Sequence, residues 1–209
     1  MQIITDDMPF PDVSLATKEG LLAIGGSLTV DRLIEAYSAG IFPWFEIDEP
    51  ILWWSPDPRF VLFPEKLKIS KSMKKLLKQN DFKLSIDKAF KTVVKQCSMV
   101  SRIGQSGTWI TPKMIMVYNE LFERGMAHSV EVWRNDELVG GLYGVDLGNG
   151  VFCGESMFSH VSNASKFGFI SFIRQSEYKL IDCQVYTKHL ESLGAEFLPR
   201  TKFLRYLQR

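Results

Sequence analysis

The chain has 209 residues, enough for one large domain or two small ones. Its composition, 45% apolar and 23% charged, is typical of a globular protein. No apolar run approaches the roughly 18 residues that a transmembrane helix requires. The N-terminus lacks a basic segment followed by an apolar core, which argues against secretion. We therefore expect a cytoplasmic protein.

Cysteine and histidine usage argues against disulfides and metal sites. Cys97, Cys153 and Cys183 are odd in number, widely spaced and set in apolar surroundings, as reduced core thiols are. The three histidines are scattered without metal-ligand spacing. The sequence also lacks a P-loop, a dinucleotide glycine motif and a G-x-S-x-G elbow. We expect neither a metal ion nor a cofactor.

The first 65 residues are acidic and rich in turn-forming and aromatic residues. They carry three basic and eleven acidic side chains, a net charge of −8. Thr29 is a suitable N-cap for a helix that Gly40 would end. Four prolines and three tryptophans fall within residues 43–58. This density predicts a rigid, irregular wall rather than a regular element.

The segment that follows is strongly basic. Residues 66–95 hold ten lysines and two aspartates. From Ile69 onward, apolar residues recur at helical spacing, which predicts an amphipathic helix. The lysines on the rest of its surface are Lys71, Lys74, Lys75 and Lys78. Such a lysine face is usually only solvated, and the alternative is a contact with the phosphates of a nucleic acid.

The rest of the chain predicts an α+β fold. A helix begins at Thr111 and ends at Gly125, and residues 128–145 alternate as a β-hairpin. A β-α-β unit and two short helices follow. Helices, a meander of strands and a crossover together indicate a mixed central sheet flanked by helices. The predicted domains are residues 1–65 and residues 66–209.

The β-α-β unit, from Gly150 to Val185, carries polar residues against an apolar background. Glu155 is predicted at the end of its first strand. Asp182 and Gln184 lie two residues apart on its second strand, so the strand period places their side chains on one face. An Asp in an apolar strand is costly without partners. A structural Asp bonded to a turn fits this spacing as well as a functional one, and Glu155 also fits a turn cap.

The same residues indicate a class of substrate. Lysines combined with aromatic rings are suited to nucleic-acid ends, where charge binds phosphates and rings stack on bases. An apolar pocket with a few polar groups is suited to a small hydrophobic substrate. Both descriptions fit an enzyme that acts on aminoacyl-tRNA.

Nine segments, in order from Gly20 to Leu198, match the motifs of one enzyme family. They include G-L-L-A-I-G-G, I-F-P-W-F, F-C-G-E-S-M-F-S, N-A-S-K and L-I-D-C-Q-V. On these motifs the chain resembles the bacterial leucyl/phenylalanyl-tRNA–protein transferases. The resemblance implies transfer of Leu or Phe, with Met as a further donor, from tRNA to the N-terminal Arg or Lys of a protein. That transfer marks the protein for N-end-rule degradation.

The resemblance also implies an architecture: a small N-terminal α/β domain and a GNAT-like catalytic domain, in a protein that we expect to be monomeric. It assigns Asp182 and Gln184 to the reacting amine, and Glu155 to the acceptor. The 3′-terminal adenosine would be held by Trp109, Trp44, Tyr37 and Tyr118. The acceptor stem would lie on the lysine face. The pocket for the transferred side chain would be lined by Leu142, Phe152, Met157, Phe169 and Phe172.

The implied reaction is aminolysis of an activated ester, which requires no covalent enzyme intermediate. Asp182 would orient Gln184, whose amide oxygen would accept a hydrogen of the attacking amine. Glutamine is too weak a base to act alone, so its expected role is positioning with proton handling.

Two other functions remain open from the sequence. One is an N-acetyltransferase, although the pyrophosphate-binding loop Q/R-x-x-G-x-G/A is absent before the helix near Asn163. The other is a non-catalytic module that binds aminoacyl-tRNA.

Overall fold

The computed structural model describes residues 2–100 and 109–208. Its first elements are β1 (Gln2–Ile4), β2 (Leu21–Gly25), α1 (Val30–Ser38), β3 (Phe42–Pro43) and β4 (Leu52–Trp54). They are followed by β5 (Arg59–Leu62), α2 (Lys71–Leu76), β6 (Lys83–Ile86), α3 (Phe90–Ser98) and α4 (Pro112–Glu123). The last are β7 (Ala127–Arg134), β8 (Glu137–Asp146), β9 (Val151–Ser159), α5 (Ala164–Gln175), β10 (Leu180–Gln184), α6 (Lys188–Ser192), β11 (Glu196–Leu198) and α7 (Arg200–Leu207).

The strands form two mixed sheets, which confirms the predicted α+β class. A four-stranded sheet has the order β1-β2-β4-β3, and a seven-stranded sheet has the order β11-β5-β10-β9-β8-β7-β6. Among the described strands of the larger sheet, β9 and β10 are the one parallel pair. These two strands are joined through α5, as the β-α-β prediction requires. The candidate site residues Glu155, Asp182 and Gln184 therefore lie near the centre of the larger sheet.

Local signals in the sequence determine where several elements begin and turn. The Thr29 hydroxyl accepts a hydrogen bond from the backbone N–H of Arg32, and Thr111 caps α4 in the same way. Asn135 and Asp136 both have positive φ angles, of 51° and 62°, at the turn between β7 and β8. This is the twist that two-residue hairpins favour. The helix starts predicted at Thr29 and Thr111 and the predicted hairpin are confirmed.

Two apolar clusters cover the faces of the larger sheet. One contains buried side chains of α1, α3, α4 and α7 together with the small sheet, and the other contains those of α2 and α5. The first cluster is continuous between the small sheet and the larger one, because Trp53 of β4 and Val61 of β5 both belong to it. No helix within the described ranges has the length and apolar character needed to span a bilayer.

The predicted irregular wall of residues 43–58 is wrong in part. β4 lies within it and pairs with β2 and β3. Trp53 is fully buried, and its indole N–H donates to the Gly25 carbonyl at 3.0 Å. The prolines limit the strands to two or three residues without preventing pairing. The first strand after this segment, β5, belongs to the larger sheet although it lies within the predicted N-terminal domain.

Candidate active site

The central cavity lies where β9 and β10 separate. The parallel pairing of the two strands runs from Leu180 opposite Val151 to Asp182 opposite Cys153 and then stops. A register shift between Asp182 and Gln184 interrupts the pairing of β10 with β5, and Gln184 has a φ of 62°. A bulge of this kind redirects a side chain and ends strand pairing. The divergence leaves a cavity of about 480 Å³.

Both sheets contribute to the wall of this cavity. Phe42, Pro43 and Trp44 come from the N-terminal part of the chain. The larger sheet and its helices supply a mainly apolar set that includes Leu142, Tyr143, Phe152, Met157, Phe169, Ile181, Cys183 and Leu190. The polar lining residues include Glu155, Ser156, Ser165, Asp182, Gln184, Thr187 and His189. The cavity therefore has extensive apolar walls and a few polar groups, as small-substrate sites do.

Glu155 and Gln184 bridge the gap between the separating strands. The Gln184 side-chain amide donates to Oε1 of Glu155 at 2.8 Å. The Tyr37 hydroxyl donates to the same oxygen at 2.7 Å, and the Tyr118 hydroxyl donates to Oε2 at 2.8 Å. The two hydroxyl oxygens are also 2.8 Å apart. Residues from α1, α4 and β10 thus fix both oxygens of one carboxylate.

The environment of Glu155 opposes its ionisation. Burial raises its pKa from 4.5 to about 7. The hydrogen bonds from Tyr37 and Tyr118 act in the opposite direction, and the neighbouring charge of Asp182 adds to the rise. A carboxyl group with a near-neutral pKa can both release and take up a proton at physiological pH.

Asp182 is held by a buried arginine. Arg59 Nε donates to Oδ1 and Arg59 Nη2 donates to Oδ2, each at 2.8 Å. Both side chains are essentially inaccessible to solvent, at 1% and 0%. Oδ1 also accepts the backbone N–H of Gln184 at 2.9 Å. The fork of the guanidinium therefore fixes Asp182, and Asp182 fixes the backbone of Gln184.

Arg59 is itself enclosed by the N-terminal part of the chain and the last helix. Its Nη1 donates to the Gly40 carbonyl at 3.2 Å. Its guanidinium lies 4.6 Å from the ring centroid of Phe42 and 4.8 Å from that of Phe203. Cation–π contacts of this kind stabilise a desolvated charge.

Comparison with known proteins identifies the family of this chain. The leucyl/phenylalanyl-tRNA protein transferase family matches residues 61–208, and the N-terminal domain of the same family matches residues 26–57. The chain belongs to the leucyl/phenylalanyl-tRNA–protein transferase family. It is 55% identical to the leucyl/phenylalanyl-tRNA–protein transferase of Flavobacterium johnsoniae, covering 100% of this chain and 99% of that one. The transferase of Azotobacter vinelandii is 52% identical over 97% of this chain and 91% of its own.

Membership of the transferase family confirms the prediction of an aminoacyltransferase. Among solved structures, a GCN5-related N-acetyltransferase from Kribbella flavida matches 80% of this chain and 59% of its own, with 9% identity and a TM-score of 0.38. Within the part of the chain that the structure describes, no group of three His, Cys, Asp or Glu side chains is arranged to bind a metal ion.

Most of the residues implied by the transferase family line the central cavity. They are Trp44, Trp109, Leu142, Phe152, Glu155, Met157, Phe169, Asp182 and Gln184. The proposed lysines are exposed on α2 or directly after it. Glu155 lies within β9 rather than at its end, because β9 extends to Ser159. The regular period of two between Asp182 and Gln184 is interrupted by the bulge.

Three predicted contacts need correction. Phe172 does not line the cavity: it packs behind Phe152, with the ring centroids 4.8 Å apart. Tyr37 and Tyr118 are 2% and 0% exposed, and their hydroxyls contact Glu155. Their position is below the cavity wall, where they support the carboxylate and do not reach an adenosine.

Arg59 and His189 are functional candidates that the sequence interpretation missed. Arg59 follows the predicted irregular wall, in the segment D-P-R-F. The feature that could have identified it is a single arginine at the start of an apolar strand. His189 lines the cavity from α6, and its buried Nε2 has no hydrogen-bond partner among the described residues. Burial lowers the pKa of His189, and the charge of Lys166 lowers it further. A histidine inside T-K-H-L-E gave no spacing signal.

Proposed function

We propose that this chain transfers Leu or Phe, with Met as a further donor, from aminoacyl-tRNA to the N-terminal Arg or Lys of a protein. The product is a peptide bond and a free tRNA 3′ end. The modified protein then enters N-end-rule degradation. The enzyme acts in the cytoplasm as a monomer, without a metal ion or a cofactor.

The observation that carries this proposal is the polar pair Glu155 and Gln184 at the wall of an otherwise mainly apolar cavity. Because Gln184 donates its amide N–H to Glu155 at 2.8 Å, its carbonyl oxygen is left to accept a hydrogen of an attacking amine. An amine and an ester held together in one cavity react much faster than in solution. In well-oriented cases the activation free energy falls by up to roughly 7–11 kcal/mol.

The apolar part of the cavity suits the transferred side chain. Leu142, Phe152, Met157 and Phe169 provide walls without charged groups. Phe152 is stiffened by Phe172 behind it, whereas the Met157 thioether chain repacks around rings or branched methyl groups. A pocket with one stiff wall and one flexible wall admits both Phe and Leu. Trp44 and Trp109 line the same cavity and would stack on the terminal adenosine.

The tRNA acceptor stem is assigned to the exposed lysines Lys71, Lys74, Lys75 and Lys78. The segment before α2 is connected to the cavity wall, because the Lys68 N–H donates to the Leu193 carbonyl next to α6 at 2.8 Å. α6 carries His189 and Leu190, which both line the cavity. The segment that leads into α2 therefore contacts the end of α6, and α6 forms part of the cavity wall.

A transfer assay tests this function. The protein is incubated with tRNA charged with labelled Phe and a peptide that begins with Arg, and labelled peptide is measured. A matched peptide with an acetylated N-terminus is the control, because it lacks the nucleophile. Labelled Arg-peptide and unlabelled acetyl-peptide are expected. Binding of charged tRNA without transfer would support a binding module, and labelling from acetyl-CoA alone would support an acetyltransferase.

A further inference from the structure

Aminolysis of an aminoacyl ester moves one proton through the active site. The amine loses a proton as the N–C bond forms, and the ribose 3′-oxygen gains one as the ester C–O bond breaks. A Gln184 amide cannot hold that proton, because it is not basic at neutral pH. Asp182 is 0% exposed, and both of its oxygens accept from Arg59. The proton therefore needs another carrier.

We propose that Glu155 is a catalytic residue that takes the proton from the attacking amine and returns it to the departing 3′-oxygen. This inference rests on the function proposed above. The carboxylate ends the cycle in its starting state, so no other reactant is required. Glu155 thereby acts on the α-amine of the acceptor and not on its side-chain cation.

The hydrogen bonds around Glu155 leave one suitable position for the proton. A carboxylate oxygen has two lone pairs. Oε1 accepts from Tyr37 and from Gln184, so both of its lone pairs are used. Oε2 accepts only from Tyr118 among the described residues, and one of its lone pairs stays available. Gln184 contacts the same carboxylate, so an amine bonded to its carbonyl oxygen lies close to Glu155.

The surroundings keep Glu155 able to exchange a proton near neutral pH. The ionisable groups around it are Tyr37 on α1, Tyr118 on α4, Tyr143 on β8, Cys153 on β9, Arg59 on β5 and Asp182 on β10. Burial and the Asp182 charge raise the pKa of Glu155 to about 7, against the tyrosine hydrogen bonds. A proton carrier is most effective when its pKa lies near the working pH.

The rival proton carrier is His189, whose Nε2 lies buried on the same cavity without a partner in the described residues. It has no hydrogen bond to Gln184 or Glu155 that would place it beside the amine. Glu155 is favoured for that reason, and His189→Gln distinguishes the two carriers.

The test is the pH dependence of kcat/KM for an Arg-peptide, with Glu155→Gln compared with the wild type. A free α-amine has a pKa of about 7.7–8.0, so two groups must lose protons in the wild type. Log kcat/KM should then approach a slope of two at low pH, and a slope of one in Glu155→Gln. At pH 7 the variant's kcat should fall at least roughly 100-fold. Its peptide KM and tRNA affinity should stay within about threefold, the range expected when only a transition-state interaction is lost.

Controls separate folding from chemistry. Glu155→Asp keeps a carboxyl group and should keep the slope of two at a reduced rate, and thermal melting reports whether each variant folds. A Glu155→Gln enzyme with wild-type rate and slope would overturn the inference. A raised peptide KM with unchanged kcat in Glu155→Gln would also overturn the inference, because Glu155 would then bind the side chain of the acceptor. If the slope fell to one in His189→Gln and stayed at two in Glu155→Gln, His189 and not Glu155 would be the proton carrier. Absence of transfer by the wild type would instead reject the proposed function.

Discussion

The guanidinium of Arg59 donates one hydrogen bond to each carboxylate oxygen of Asp182, both at 2.8 Å, and both side chains are buried from solvent. This pair joins three parts of the molecule, because Arg59 also contacts the Gly40 carbonyl and the ring of Phe203. Asp182 in turn fixes the backbone of Gln184. Asp182 therefore fixes the position of Gln184, the residue that we propose to contact the attacking amine.

Removing Arg59 should destabilise the protein severely. Arg59→Met leaves Asp182 buried without its counter-charge, and breaking a buried pair in this way costs about 3–5 kcal/mol. Chemical denaturation measures the loss. Arg124→Met is the matched control, because Arg124 pairs with Asp31 and Glu120 on the exposed surface. Exposed pairs contribute at most about 1 kcal/mol. Equal losses in the two variants would contradict the structural role of Arg59.

Glu155 should make the stability of the protein depend on pH. Its pKa is raised from 4.5 to about 7 in the folded state, so the folded state binds more protons than the unfolded state between these values. The free energy of unfolding therefore falls as pH rises from about 4.5 through 7, by at most roughly 3 kcal/mol because cavity water screens the charge. Glu155→Gln should remove this contribution and leave the opposite contribution of His189, whose lowered pKa makes the free energy of unfolding rise with pH.

Urea denaturation at pH 5, 6, 7 and 8 provides the measurement. Glu123→Gln is the control, because Glu123 is on the exposed surface of α4 and its side chain is 61% exposed. It should retain the wild-type dependence on pH. An equally steep dependence in Glu155→Gln would mean that the carboxyl group of Glu155 has an ordinary pKa.

Two phenylalanines on α5 should differ in their effect on donor choice. Phe169 lines the cavity, and Phe172 packs behind Phe152. Phe169→Ala widens the pocket, so transfer of Trp should rise relative to Phe. Phe172→Ala leaves a void in the core and should cost about 3–5 kcal/mol of stability while changing donor ranking less. Competition between charged tRNAs measures the ranking, and the reverse order of effects would place the pocket elsewhere.

The lysine face should determine tRNA affinity. Lys74→Glu with Lys75→Glu should weaken binding and reduce the dependence of affinity on salt, because fewer phosphate contacts release counterions. Lys202→Glu with Arg205→Glu on exposed positions of α7 is the charge-matched control. A short substrate, an adenosine carrying the aminoacyl group, should be affected little by either pair. Equal losses for the full tRNA and the short substrate would mean that α2 does not contact the stem.

The sequence was informative where local chemistry determines structure. Thr29 and Thr111 start helices because their hydroxyls satisfy backbone N–H groups, and Asn135 and Asp136 favour the turn that they form. The resemblance placed Glu155, Asp182 and Gln184 on one cavity, and the structure brings them together there.

Other features depend on contacts between distant segments, which spacing does not encode. The bulge at Gln184 arises where β10 leaves β9, and a regular strand period could not reveal it. Arg59 and Asp182 are separated by 123 positions in the chain. The resemblance assigns Tyr37 to the 3′-terminal adenosine of the tRNA, but its burial under Glu155 follows from how α1 packs against α4.

The most direct test of the account is single-turnover transfer of labelled Phe from Phe-tRNA to an Arg-peptide by Gln184→Ala. We expect a rate at least roughly tenfold lower, because an interaction of about 1.5 kcal/mol or more with the attacking amine is lost. Affinity for Phe-tRNA should stay nearly unchanged, since Gln184 contacts Glu155 and not the basic helix. Wild-type transfer by Gln184→Ala would contradict the account, because the pair Glu155 and Gln184 would then not be the reaction centre.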